Sequence, residues 1–189
     1  MKIYIACALT HVPRDTFQEY SQLIHQLGSA LRQEGRHEVS YALVNSDPQL
    51  AERRTEERAR LCYEWDRRFV QESQLVIAEA TFPSTGLGIE LQLAQSADIP
   101  IILCFKIDKA TRAAEVTYEN PDHARHMLQI GEGYVSLMAL GLPNIIRVLS
   151  YVSEDTGIAA IVAAVSQIEN LRLEDGTQIK ATSALKSCQ

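Results

Sequence analysis

The stretch Gln74-Leu75-Val76-Ile77-Ala78-Glu79-Ala80, followed by Thr81-Phe82-Pro83-Ser84-Thr85-Gly86-Leu87-Gly88, decides the fold. Its first half is nearly all apolar, the pattern of a strand covered on both faces, and such strands belong to parallel sheets with helices above and below. Its second half is a loop rich in turn residues, and the spacing beyond it predicts a helix over about Ile89 to Ser96.

The same alternation recurs on either side. A strand is expected over Lys2 to Leu9, then a helix that Asp15 caps and Gly35 ends, with Phe17, Tyr20, Leu23, Ile24, Leu27 and Leu31 at helical spacing. His37 to Val44 reads as a second strand. Gln49 to Glu72 reads as helical, with Leu61, Trp65 and Phe69 on one face. Ile99 to Phe105 is the next strand, where Pro100 is tolerable only at the start. Lys106 to Asp122 is polar and irregular, a candidate lid or binding loop. A helix interrupted near Gly131 and Gly133 is expected over His123 to Leu140, a fifth strand over Asn144 to Val152 and a closing amphipathic helix over Glu154 to Leu173. The alternation predicts an α/β protein with one parallel sheet flanked by helices. One domain is expected over residues 1–173, with an inserted loop at about 106–133 and a polar tail at 174–189.

Composition narrows the function classes. The 189 residues are 46% hydrophobic and 22% charged, enough for a real core, and the formal charge of −6 argues against nucleic acid or an anionic membrane as partner. Met1-Lys2 runs straight into the first strand without the apolar core of a signal peptide, and no apolar run approaches the roughly 20 residues that span a bilayer. Cys7, Cys62, Cys104 and Cys188 show no CxxC spacing, so free thiols and a cytoplasmic location are expected. His123 and His126 have only Asp122 nearby to complete a ligand set, so no metal is expected. No cofactor is expected either, because no phosphate-cradling loop follows the first strand.

Open parallel sheets bind ligands at the carboxyl ends of their strands, where the strand order reverses. There Gly86 and Gly88 let the backbone approach a ligand, and Glu90 falls in the expected first turn of a helix, where the dipole favours an ionised carboxylate. A held carboxylate can serve as a glycosidic nucleophile, with Asp66 as a second acid for the leaving group. Periodicity alone favours plainer accounts: Glu90 as an ordinary first-turn residue, Asp66 paired with Arg67 or Arg68, Tyr4 in the core, and Trp65 and Phe82 as packing.

The segment Asp66 to Ala94, with Val76-Ile77-Ala78-Glu79-Ala80 leading into Pro83-Ser84-Thr85-Gly86-Leu87-Gly88-Ile89-Glu90, resembles the nucleoside 2-deoxyribosyltransferase superfamily. The likeness is greatest to its branch of 2′-deoxynucleoside 5′-phosphate N-hydrolases. The resemblance implies a flavodoxin-like (Rossmann-like) five-stranded parallel sheet, and cleavage of the N-glycosidic bond of a nucleoside or nucleoside 5′-monophosphate, by hydrolysis more than by transfer. It implies Glu90 as nucleophile, Asp66 assisting the leaving base and Tyr4 beside the nucleophile. Ser84, Gly86 and Gly88 match the loop that holds a 5′-phosphate. Ser136 and Met138 match a segment reaching into the partner's site, which implies a homodimer with shared active sites. Two departures stand out: Cys7-Ala8-Leu9-Thr10 lacks the arginine that helps to bind phosphate, leaving His11 or Arg14 as substitutes, and the insertion has no counterpart. The missing arginine keeps open a non-catalytic nucleotide-binding sensor on the same fold.

Overall fold

The computed structural model describes residues 1–35 and 37–175. In chain order its strands are β1 (Lys2–Cys7), β2 (Glu38–Tyr41), β3 (Leu75–Glu79), β4 (Ile101–Lys106), the short pair β5 (Thr117–Glu119) and β6 (Arg125–Met127), and β7 (Ile145–Tyr151). Five of them form one parallel sheet in the order β2-β1-β3-β4-β7, while β5 and β6 pair antiparallel. The chain steps from β1 outward to β2 and then back across to β3, so the order reverses between β1 and β3, the point at whose carboxyl ends sheets of this kind bind ligands.

Alternation along the strands divides the core in two. Ile3, Ile5, Leu75, Ile77 and Ile102 pack under α1 (Phe17–Gly35) and α7 (Glu154–Asp175). Tyr4, Ala6, Val76, Ala78 and Leu103 point the other way, under α4 (Thr55–Glu72) and α5 (Thr85–Ser96). All five residues of the central strand β3 are buried, as its apolar run predicts. Three short helices, α2 (Ala42–Asn45), α3 (Asp47–Ala51) and α6 (Leu137–Leu140), lie in the connections.

Several expectations need correction. The first strand stops at Cys7 rather than Leu9. Thr16, not Asp15, starts the helix: its carbonyl accepts the Tyr20 N–H at 3.0 Å. The second strand ends at Tyr41, and Ala42 to Asn45 turn into α2, because the Asn45 side chain accepts the Tyr41 N–H at 3.1 Å and closes the turn. No helix spans His123 to Leu140. His123 (φ 66°), Gly131 (φ 58°) and Gly133 (φ 84°) take left-handed conformations, which end helices. The chain forms the β5–β6 hairpin instead, and only Leu137–Leu140 is helical. The expected tail lies outside the described residues from 176 onward.

Among the described residues no helix is long and apolar enough to cross a membrane. Ile77 is fully buried at the centre of β3, so Ile77→Ala is expected to lower the unfolding free energy by about 2–5 kcal/mol, read as a lower urea midpoint at unchanged slope.

Candidate active site

Three elements bring Tyr4, Asp66 and Glu90 together. Tyr4 lies in β1 on the α4–α5 face of the sheet with 0% exposure, and its ring stacks on Phe69 of α4. Its hydroxyl donates to Glu90 Oε1 at 2.5 Å across 86 positions of sequence. Burial first, then the charges of Glu90 and Asp66, push the phenol well above its ordinary value, so it stays a donor.

Glu90 sits deeper in its helix than the sequence suggests. Ser84 caps α5, its Oγ accepting the Leu87 N–H at 3.3 Å, and the helix begins at Thr85 rather than Ile89. That moves Gly86 and Gly88 into the first turn and Glu90 into the second, beyond the unpaired N–H groups whose field favours a carboxylate. With 8% exposure, burial pushes Glu90 up to about 8, the nearby Asp66 charge adds to the rise, and the Tyr4 hydrogen bond opposes both. The expected ionised carboxylate is therefore a protonated or shared one at neutral pH. Desolvation outweighs the helix terminus.

Asp66, in α4, makes no ion pair with Arg67, Arg68 or any other arginine among the described residues; the Arg68 guanidinium lies over the Phe69 ring. Its Oδ1 accepts from Ser46 Oγ at 2.8 Å and its Oδ2 from Cys62 Sγ at 3.4 Å. Burial raises this carboxyl too, against the pull of those two donors. The half-buried Cys7 thiol, at the end of β1, is raised by burial and then by Glu90, Glu79 and Asp66, which makes it a neutral group among three acids. Pairs of carboxyls with unequal environments can divide acid and nucleophile roles.

The residues matched to substrate binding line a different space. A cavity of about 1110 Å³ opens beside α5, lined by Ser84, Gly88, Ser136 and Met138 together with Phe82 and Tyr134. Gly86 does not line it, and neither does any of Tyr4, Asp66 and Glu90. Leu87, Gly88, Leu91 and Gln92 face the cavity while Glu90 reaches toward β1, so α5 stands between the two. A Cβ on Gly88 would meet nothing within 4 Å, which leaves that helix face open for close approach. Of the two candidate phosphate substitutes, His11 lines the cavity; Arg14 instead donates to the Thr10 carbonyl and covers Phe17. Met138 is 87% exposed at the start of α6, where its N–H donates to Ser136 Oγ at 3.2 Å. Phe82 packs edge-on against Tyr20, and Trp65 lies under the Arg53 guanidinium.

A further carboxyl went unremarked in the sequence. Glu79, at the end of β3, is 1% exposed; the Thr81 hydroxyl donates to it, and the Tyr151 hydroxyl does so at 2.8 Å. Thr81 Oγ1 in turn accepts the Lys106 N–H at 2.8 Å, so one buried acid ties together the ends of β3, β4 and β7. An acid closing an apolar run was its signal. Among the described residues no group of three potential ligands could hold a metal ion; His123 contacts Glu119, and the His126 ring lies beside Tyr118.

No family model matches the chain. Over 59 residues it is 29% identical to the protein of Syntrophotalea carbinolica named putative 2′-deoxynucleoside 5′-phosphate N-hydrolase 1, an alignment covering 31% of this chain and 42% of that protein. The chain thus spans less than half the length of that relative. Its fold is that of the Clostridium botulinum CMP N-glycosidase BcmB, with 18% identity, a TM-score of 0.51 and coverage of 85% of this chain and 98% of the other. A conserved protein of Enterococcus faecalis V583 matches with 17% identity, a TM-score of 0.54 and coverage of 88% and 97%. The α/β fold with its five-stranded parallel sheet is shared, and the sequence similarity to a nucleotide N-hydrolase is distant.

The raised Glu90 carboxyl has a consequence for stability. Its proton is held up to about pH 8 in the folded chain but only to its ordinary value when unfolded, so its contribution is full in acid and is lost as pH rises toward and through 8. Glu90→Gln is therefore expected to be more stable than wild type at pH 9, on the order of a few kcal/mol, with the gap closing toward pH 4. Urea midpoints measured across that range check it.

Proposed function

We propose that this protein cleaves the N-glycosidic bond of a nucleoside or nucleoside 5′-monophosphate by hydrolysis. The observation that carries this reading is the Tyr4–Glu90 hydrogen bond, buried at the reversal point of the sheet within electrostatic reach of Asp66. The similarity to a named N-hydrolase and the fold shared with a CMP N-glycosidase support it.

The chemistry follows from one proton held by two carboxyls. The value of about 8 for Glu90 includes the effect of a charged Asp66, so it marks the loss of the pair's last proton. At neutral pH the pair holds one proton, and the productive arrangement leaves Glu90 anionic and Asp66 protonated. Tyr4 occupies Glu90 Oε1, while Oε2 accepts no hydrogen bond among the described residues and is the attacking atom. As Oε2 bonds to the sugar C1′, the C1′–N bond breaks, its electron pair goes to the base nitrogen, and that nitrogen takes the Asp66 proton. Water then attacks C1′ and gives a proton to Asp66. The ester bond to Glu90 breaks, and free sugar leaves.

Binding follows from the same reading. Ser84, Gly86, Gly88 and His11 receive the 5′ end of the substrate at the start of α5. Met138 and Ser136 reach into the site of a second copy, a role that the outward position of Met138 supports. The separation of the cavity from the three catalytic groups favours a second reading, a nucleotide sensor that binds without turnover.

Incubation with a panel of nucleosides and 5′-monophosphates, with free base followed by chromatography, separates the two. Wild type is expected to release base, and Glu90→Gln to lose at least about 10³-fold in kcat. Tight calorimetric binding of one nucleotide with no base released would favour the sensor, and equal activity of Glu90→Gln would exclude the nucleophile. The profile of kcat/KM is expected to be bell-shaped, with its alkaline limb near pH 8 as the last proton leaves the pair.

A further inference from the structure

We propose that Ser46, with Cys62, is a positioning pair that clamps both oxygens of Asp66 and fixes the direction from which that carboxyl meets the site. The inference rests on the glycosidase reading for its catalytic meaning and on geometry for the clamp itself. Ser46 lies at the joint between α2 and α3 and is 1% exposed. Its own backbone is held at both ends: its N–H donates to the Ala42 carbonyl at 3.1 Å, and its carbonyl accepts the Leu50 N–H at 2.9 Å. Pro48, in the first turn of α3, stiffens the same joint. The hydroxyl therefore has little freedom, and it donates to Asp66 Oδ1 at 2.8 Å.

Cys62 approaches from the other side. It stands one helical turn before Asp66, so its thiol reaches Oδ2 of the same carboxyl at 3.4 Å. Burial and the Asp66 charge push that thiol up to about 11, so it remains protonated and a donor. A carboxyl with a separate donor on each oxygen cannot rotate without breaking one of them. Both donors also favour its charged form, against burial and the neighbouring charge of Asp47. The other titratable groups close enough to act on it are Glu90 on α5 and Tyr4 and Cys7 on β1. Ser46 lies in the gap between the strand expected to end at Val44 and the helix expected from Gln49, so its role becomes visible only in the folded chain.

The test uses two readouts. With carboxyl-labelled aspartate, the Asp66 resonance is assigned by its loss in Asp66→Asn and titrated by carbon NMR in each variant. Ser46→Ala is expected to raise the Asp66 pKa by roughly one unit, and Cys62→Ala by less, while Cys62→Ser leaves it near wild type. In base release, Ser46→Ala is expected to lower kcat about tenfold with KM little changed and to move the alkaline limb upward. A uniform fall in kcat with both limbs unmoved would mark Ser46 as merely structural and overturn the proposal, as would an Asp66 titration unchanged in every variant. Should Ser46→Ala fail to fold, the Cys62→Ala and Cys62→Ser pair decides the matter by the same criteria. Absence of base release by wild type would sink the glycosidase reading alone, because the NMR titration still decides the clamp.

Discussion

Tyr4 and Glu90 meet at 2.5 Å in a place nearly sealed from solvent, and the contact binds the middle of the first strand to helix α5. A carboxyl with 8% exposure is costly to ionise, and a phenol with none is costly to leave without an acceptor. Each resolves the other's difficulty. The contact also fixes geometry, because it joins the first strand to a helix that follows the third, on either side of the point where strand order reverses. The Phe69 ring stacked on Tyr4 and the capped start of α5 hold its two ends in place.

Around this contact the protein gathers acids rather than cations. Glu90, Asp66 and Glu79 all act on the Cys7 thiol, and burial raises the proton affinity of all three. Such a group of carboxyls holds fewer charges than its formal count. It keeps a proton available at neutral pH without any histidine in the cluster. Glu79 lies on the far face of the sheet, where hydroxyl donors tie it to neighbouring strand ends, and its part is to brace the carboxyl rim of the sheet.

The large outlines of this architecture were legible in the sequence because burial on both faces leaves a strong mark. Five apolar runs became the five sheet strands, displaced by a few residues at their ends. The segment from His123 to Leu140 was misleading for a local reason: its apolar residues fall at helical spacing, but three left-handed residues break any helix there. The candidate trio was legible only through resemblance, since Tyr4, Asp66 and Glu90 come from three elements and no spacing rule links them. The protonation of Glu90 was misjudged because the cap at Ser84 places the helix start four residues early, and depth in the fold, which sequence does not report, then governs the charge. Ser46 carried no signal at all, since nothing in a seryl residue announces which carboxyl it will face.

Helix α5 stands as a wall between a buried acid and an open cavity. One side bears the acid that reaches toward the first strand; the other bears Gly88 and Gln92, facing a roomy apolar hollow. Residues two positions apart in sequence therefore answer to different demands. Side chains on the hollow's side can be exchanged while the Tyr4–Glu90 contact stays as it is, so the two faces of one helix are free to change independently.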